Sequence, residues 1–362
     1  MLQSRYYYFL MYLNFIVSMI EFTPTLIYAG RYKSSLISLL AALLLAGIMI
    51  LVFEMQLNRF QGQSISKIMK GAITPILQKL LFVCSLILSY WIGFIYLISF
   101  AQIAHKYISP ELSAGSLFMV FLLLAGFSSL MDSKSTLFML EIVVVFSIPV
   151  LAILILVFTL DPNIRIDFIL EAATYIRSWP SYPMLAAGAF LFNGYMARIV
   201  FNEHLKRSKP KKWHLVVVSI GLLLILAYYF IPIGYLGLGG IKGDDNVWFT
   251  TMNSMKLPYF FIERFIVVFL MMQIGVSLMF VIICWHSSLQ FLKFAFQMDG
   301  GKHQWISFTL LLVVSYMLWK FIDAAAIRHS ISLFLNINLA FDLAMIGVLV
   351  WCAQRGKAAL DE

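Results

Sequence analysis

The sequence predicts an all-α integral membrane protein of about ten transmembrane helices, arranged as two inverted five-helix repeats with broken first and sixth helices. Three observations carry this. The chain of 362 residues is 62% hydrophobic and only 12% charged, a composition that no soluble domain shares. Ten apolar runs have roughly spanning length, at 7–28, 36–57, 80–104, 113–131, 136–160, 182–201, 213–238, 259–289, 305–321 and 331–351. The first and sixth runs each carry helix-breaking residues well inside the hydrocarbon layer.

The connections between the runs order the two halves. A connection of about twenty residues follows the second run and also the seventh. The third and eighth runs are both longer than a perpendicular crossing needs, and the later connections are short in both halves. Five is odd, so two such halves, about 1–160 and 180–352 of one membrane domain covering 1–362, sit with opposite orientation. With both termini cytoplasmic, inside segments hold fifteen Lys and Arg against eight outside, and the run KRSKPKK at 206–212 anchors that assignment. These short basic loops account for the net charge of +9 as a match to anionic lipid, without a nucleic-acid partner. The first run has no small-residue cleavage site and is read as a retained helix. Cys84, Cys284 and Cys352 all fall in apolar runs, which implies neither a disulfide framework nor a metal site.

The sixth run, WPSYPMLAAGAFLFNGYMARIVFN, has a weak point at its centre. At roughly 1.5 Å per residue from Tyr182, Gly188 lies about 9 Å and Gly194 about 18 Å into a layer of roughly 30 Å. Two glycines around Phe190 and Phe192, followed by Asn193 and Tyr195, let the helix unwind and expose backbone amides and carbonyls, which lipid tolerates only beside a cavity. Two readings follow: a ligand site of the kind transporters build at such breaks, or glycines that only permit close helix packing. In the first run, MIEFTPTLIYAG, the segment Glu21, Phe22 and Thr23 precedes Pro24, which removes an amide and disfavours helix at the residue before it. A carboxylate at the depth of Glu21 faces a cavity or a partner, or reaches the outer surface.

Other charges in the spans are few. Glu54, Arg59 and a snorkelling Arg198 read as structural. Glu141 and Asp342 occupy matching places in the fifth and tenth spans, either as protonatable coupling residues or packed against a polar neighbour. Lys320 is placed to pair with Asp323 at i, i+3. Glu263 and Arg264 open the eighth span; adjacent residues point about 100° apart, so each requires its own partner at a gate or a subunit contact, unless the pair is a surface feature. The six histidines are scattered and mostly at span ends, where they read as interfacial. HExxH, GxSxG and P-loop motifs are absent, so neither enzyme chemistry nor a cofactor is expected.

The order of these features over nearly the full chain resembles the B subunit of GerA-type spore germinant receptors, a branch of the amino acid, polyamine and organocation transporter superfamily with a LeuT/APC-like fold. The features are the break EFTP followed by YAGRYKSSLISLL, the aromatic and glycine-bearing sixth span, and the PYFFIERF entrance to the eighth span after the loop VWFTTMNSMKLP. The chain departs from the family in having Val17, Ser18 and Met19 where glycines are common, and Ile266 where an acid often follows the Glu-Arg pair. The resemblance implies a small germinant, commonly an amino acid, bound at the helix breaks. It also implies association with a larger A subunit and a lipoprotein C subunit in the inner spore membrane. An ion-coupled amino acid transporter is the alternative, because the binding half of such a machine is common to both. A membrane-embedded enzyme acting on a lipid-linked substrate is a third class, disfavoured by the lack of clustered catalytic carboxylates.

Overall fold

The computed structural model describes residues 2–21, 23–176, 178–207, 210–241, 247–254, 265–297, 301–322 and 324–361. Phe22, Asp323, Glu263 and Arg264 lie outside these, so the first-span Phe, the Lys320–Asp323 pair and the expected gate pair are not placed by the structure. Helices make up the fold: α1 (Arg5–Ile20), α2 (Thr23–Ala29), α3 (Ser35–Leu57), α4 (Ile65–Met69), α5 (Pro75–Tyr107), α6 (Ala114–Ser129), α7 (Ser133–Leu160) and α8 (Ile166–Thr174) come first. They are followed by α9 (Tyr182–Phe190), α10 (Arg198–Phe201), α11 (Pro210–Gly240), α12 (Val247–Ser254), α13 (Phe265–Phe296), α14 (Gly301–Phe321) and α15 (Ala324–Asp361).

Seven of these are long and apolar enough to cross a membrane, and the bent pairs α1–α2 and α9–α10 bring the total among the described residues to nine. The fourth apolar run of the sequence becomes α6, whose 16 residues reach only about 24 Å at 1.5 Å per residue. By length, then, nine spans stand against the ten expected, and the chain is an all-α, multi-pass membrane protein.

Local chemistry sets where the helices begin. Thr74 accepts from the backbone N–H of Leu77 with Pro75 at the first helical position of α5. Ser113 accepts from Ser116 N–H ahead of α6, and Asp132 from Lys134 and Ser135 N–H ahead of α7. Exposed Ile, Leu and Phe side chains cover the outer faces of α7, α11 and α14, as lipid contact requires.

The third and eighth spans, α5 and α13, have 33 and 32 residues and pack along each other. At about 1.5 Å per residue each exceeds the hydrocarbon thickness of roughly 30 Å by more than half. The first span bends by 56° between α1 and α2, and the sixth by 53° between α9 and the segment beginning at Asn193. Both bends fall at the positions where proline and glycine weaken the sequence, and α1 packs directly against the turn Asn193–Tyr195. The third bent element is α11, kinked at Gly237, where φ is +69°; Pro232 also lies inside this helix, one turn earlier. Proline has no N–H for the carbonyl four residues back, and the Tyr28 hydroxyl donates to that carbonyl, Tyr228 O, at 2.6 Å.

Candidate functional site

The sixth span stops being α-helical at Phe190 and resumes, after a tight turn at Asn193–Tyr195, with α10. Across the interruption, Asn14 of α1 donates its side-chain amide to Phe190 O at 2.6 Å and to Leu191 O at 3.1 Å. Buried carbonyls need partners, and here another broken helix supplies them. Gly194 makes this contact possible: a methyl group there would run into Leu10 O and come within 2.6 Å of Met11 Cα. The polar amide in YLNFIVSMI was the available signal for Asn14; nothing local pointed to carbonyls 176 and 177 residues away.

Beside the break lies a cavity of about 110 Å³. Asn193, Gly194 and Phe190 line it from the sixth span; Asn14 from α1; Ser85 and Ser89 from α5; Phe280, Cys284 and Ser287 from α13; Asn338 and Asp342 from α15. Asn338 donates to the Asp342 carboxyl at 2.7 Å, a pair set one turn apart on α15, and both residues are buried. Asn193 Oδ1 and Ser287 Oγ are buried without a hydrogen-bond partner. A second void of about 10 Å³ touches the other side of Asp342, against Tyr195 and Met49.

The remaining sequence candidates fall elsewhere. Gly188 lies against α3, where an added methyl would come 2.7 Å from Ala42 Cβ and 3.3 Å from Leu39, so its place is in helix packing. Phe192 packs its ring on Phe15 at 5.5 Å and borders an apolar groove of about 580 Å³ between α1, α7 and α11. Glu21 is buried and belongs to a second polar centre. Its Oε1 accepts from Ser277 Oγ at 2.6 Å and Gln273 Nε2 at 3.0 Å, while Thr23 donates to Ser18 O at 2.6 Å and meets Tyr228 OH at 3.3 Å. Pro24 is buried at the start of α2. Glu21, Thr23 and Pro24 do not border the cavity at the sixth-span break. The aromatic pair Tyr96–Phe280, centroids 4.6 Å apart, stands between the two centres: Phe280 lines the cavity and Tyr96 donates to Ser18.

Other charged groups take places the sequence only partly indicated. Glu141 pairs with Arg5 at 2.5 Å and accepts from the Tyr6 hydroxyl. Arg198 is buried rather than snorkelling, with Nη2 donating to Asn58 at 2.8 Å and the guanidinium over the Tyr7 ring at 5.0 Å. His286 is also buried rather than interfacial, between Ser129 O and the Ser133 hydroxyl and stacked on Phe201. Arg31 donates to Leu238 O at 2.6 Å and Tyr28 O at 2.9 Å, tying α2 to the end of α11. Among the described residues no group of three or more His, Cys, Asp or Glu is placed to hold a metal ion.

Compared with known proteins, the chain matches no family model and no curated protein.

Proposed function

We propose that the chain is the solute-sensing subunit of a GerA-type spore germination receptor, in which a small germinant binds in the cavity at the sixth-span break and partner subunits read the result. The observation that carries the binding half of this reading is the partly open cavity of about 110 Å³ where two bent helices meet, largely apolar but with Asn14, Asn193, Asn338 and Asp342 in its lining. Helix breaks beside cavities are where transporter-type folds bind their solutes. The germination half rests on the sequence resemblance, with its A and C partner subunits and its inner spore membrane, and the LeuT-like inverted repeat belongs to the same proposal. A solute with different affinity for two bundle conformations is sufficient to signal.

The ion-coupled transporter is the second reading, and one observation favours it: Glu21 is buried on Gln273 and Ser277 in the depth of the bundle, where intramembrane carboxyls commonly mark ion or proton pathways. Reconstituted proteoliposomes separate the two. Saturable binding of a radiolabelled amino acid without accumulation in the lumen is expected of a sensor; accumulation driven by an ion gradient would replace sensing by transport. Orientation is part of the proposal, with both termini cytoplasmic. An impermeant thiol reagent added outside intact cells leaves Ser208→Cys unlabelled, and labelling there would invert the topology.

A further inference from the structure

Resting on the reading of the cavity as a solute site, we propose that the Asp342 carboxyl makes this site selective for a small solute bearing a protonated amine. Asp342 and Asn338 are 5% and 7% exposed, and Asp342 borders both the cavity and the smaller void beside it. Among the described residues that line the cavity there is no Lys, Arg or His. A carboxyl at membrane depth is costly without a counter-charge, and a cationic solute supplies one. Elsewhere at the break, the carbonyls of Phe190 and Leu191 already accept from Asn14, so an incoming amine finds those acceptors engaged. An ammonium has three N–H donors, and the cavity offers Asp342 together with Asn193 Oδ1 and Ser287 Oγ, both without partners.

The volume bounds the solute. A cavity of about 150 Å³ takes benzene, and a water occupies about 30 Å³ of liquid. The space of about 110 Å³ therefore suits a solute of up to about six heavy atoms.

The test uses the full-length protein in nanodiscs, with thermal unfolding measured against increasing alanine, ethylamine, lactate and propanol. Alanine and ethylamine are expected to stabilise it, lactate and propanol to do so at least tenfold less effectively. Asp342→Asn is expected to remove that preference. If Asp342→Asn does not accumulate as folded protein, Asn193→Ala keeps the carboxyl and is expected to weaken amine binding several-fold with the order of the probes intact. Equal responses to alanine and lactate, or an unaltered preference in Asp342→Asn, would overturn the proposal while leaving a solute site in place. No response to any of the four probes would overturn both.

Discussion

Replacing Asn14 by leucine tests whether the break in the sixth span is held by the first. The substitution removes two hydrogen bonds, of 2.6 and 3.1 Å, to Phe190 O and Leu191 O, and leucine keeps asparagine's branched side-chain skeleton and is welcome in lipid. Side-chain hydrogen bonds inside membrane proteins average about 0.6 kcal/mol with a maximum near 1.7, while a buried acceptor left without a donor costs about 1–3 kcal/mol. The cavity beside Asn14 admits water to part of that loss, so the expected destabilisation is about 1–3 kcal/mol rather than the sum of two full penalties. At about 2–4 °C per kcal/mol for chains of a few hundred residues, the melting temperature of the purified protein in detergent falls by several degrees. Asn14→Asp, which places an acceptor against two carbonyls, falls further. An unchanged melting temperature in Asn14→Leu would refute the view that α1 holds the break together.

Three other outcomes follow from the same contacts. Gly194→Ala forces a methyl onto the backbone of Leu10 and Met11 and is expected to cost the upper part of the about 1–3 kcal/mol typical of overpacking; Gly188→Ala meets only the side chain of Ala42 and the edge of Leu39 and costs less, an order that melting temperatures check and whose reversal would contradict the packing described. Glu21→Gln keeps an oxygen for Ser277 and Gln273 and is mild, whereas Glu21→Leu strands buried donors at about 1–3 kcal/mol; equal melting temperatures for the two would remove the polar centre from the account. At the start of α7, the Ser135 hydroxyl and then the backbone N–H groups of Ser135 and Lys134 hold the exposed Asp132 carboxyl below its ordinary value. That stabilisation is present above the unfolded pKa of about 3.9 and is lost as pH falls through the lower folded value. The gap in melting temperature between wild type and Asp132→Ala therefore closes in acid, and a gap constant from neutral pH to about pH 2 would contradict it.

How much of this was legible in the sequence follows from the range of the interactions. Proline 24 and the glycine pair act on the backbone next to them, so both bends stood where the residues put them. The unusual length of the third and eighth spans was visible in their apolar runs. The short α6 was counted as a span because its apolar run extends past the helix at both ends. Which glycine borders the cavity was not legible: Gly188 and Gly194 differ only in what α3 and α1 bring to them from more than a hundred residues away. The partners of Glu21 lie 252 and 256 residues along the chain. A sharper signal was nonetheless present in the polar pairs at i, i+4 within otherwise apolar helices, Gln273 with Ser277 and Asn338 with Asp342. Such spacing puts both groups on one helix face, and these pairs form the two buried polar centres of the bundle.

The central claim is that the cavity at the sixth-span break is where the solute sits, and the chain carries its own reporter there in Cys284. With Cys84 and Cys352 replaced by serine, the rate at which N-ethylmaleimide alkylates Cys284 is measured in nanodiscs with and without alanine or ethylamine at concentrations that raise the melting temperature. The account predicts that the stabilising solute slows alkylation several-fold. A solute that raises the melting temperature while Cys284 reacts at its original rate would place the binding site elsewhere and contradict it.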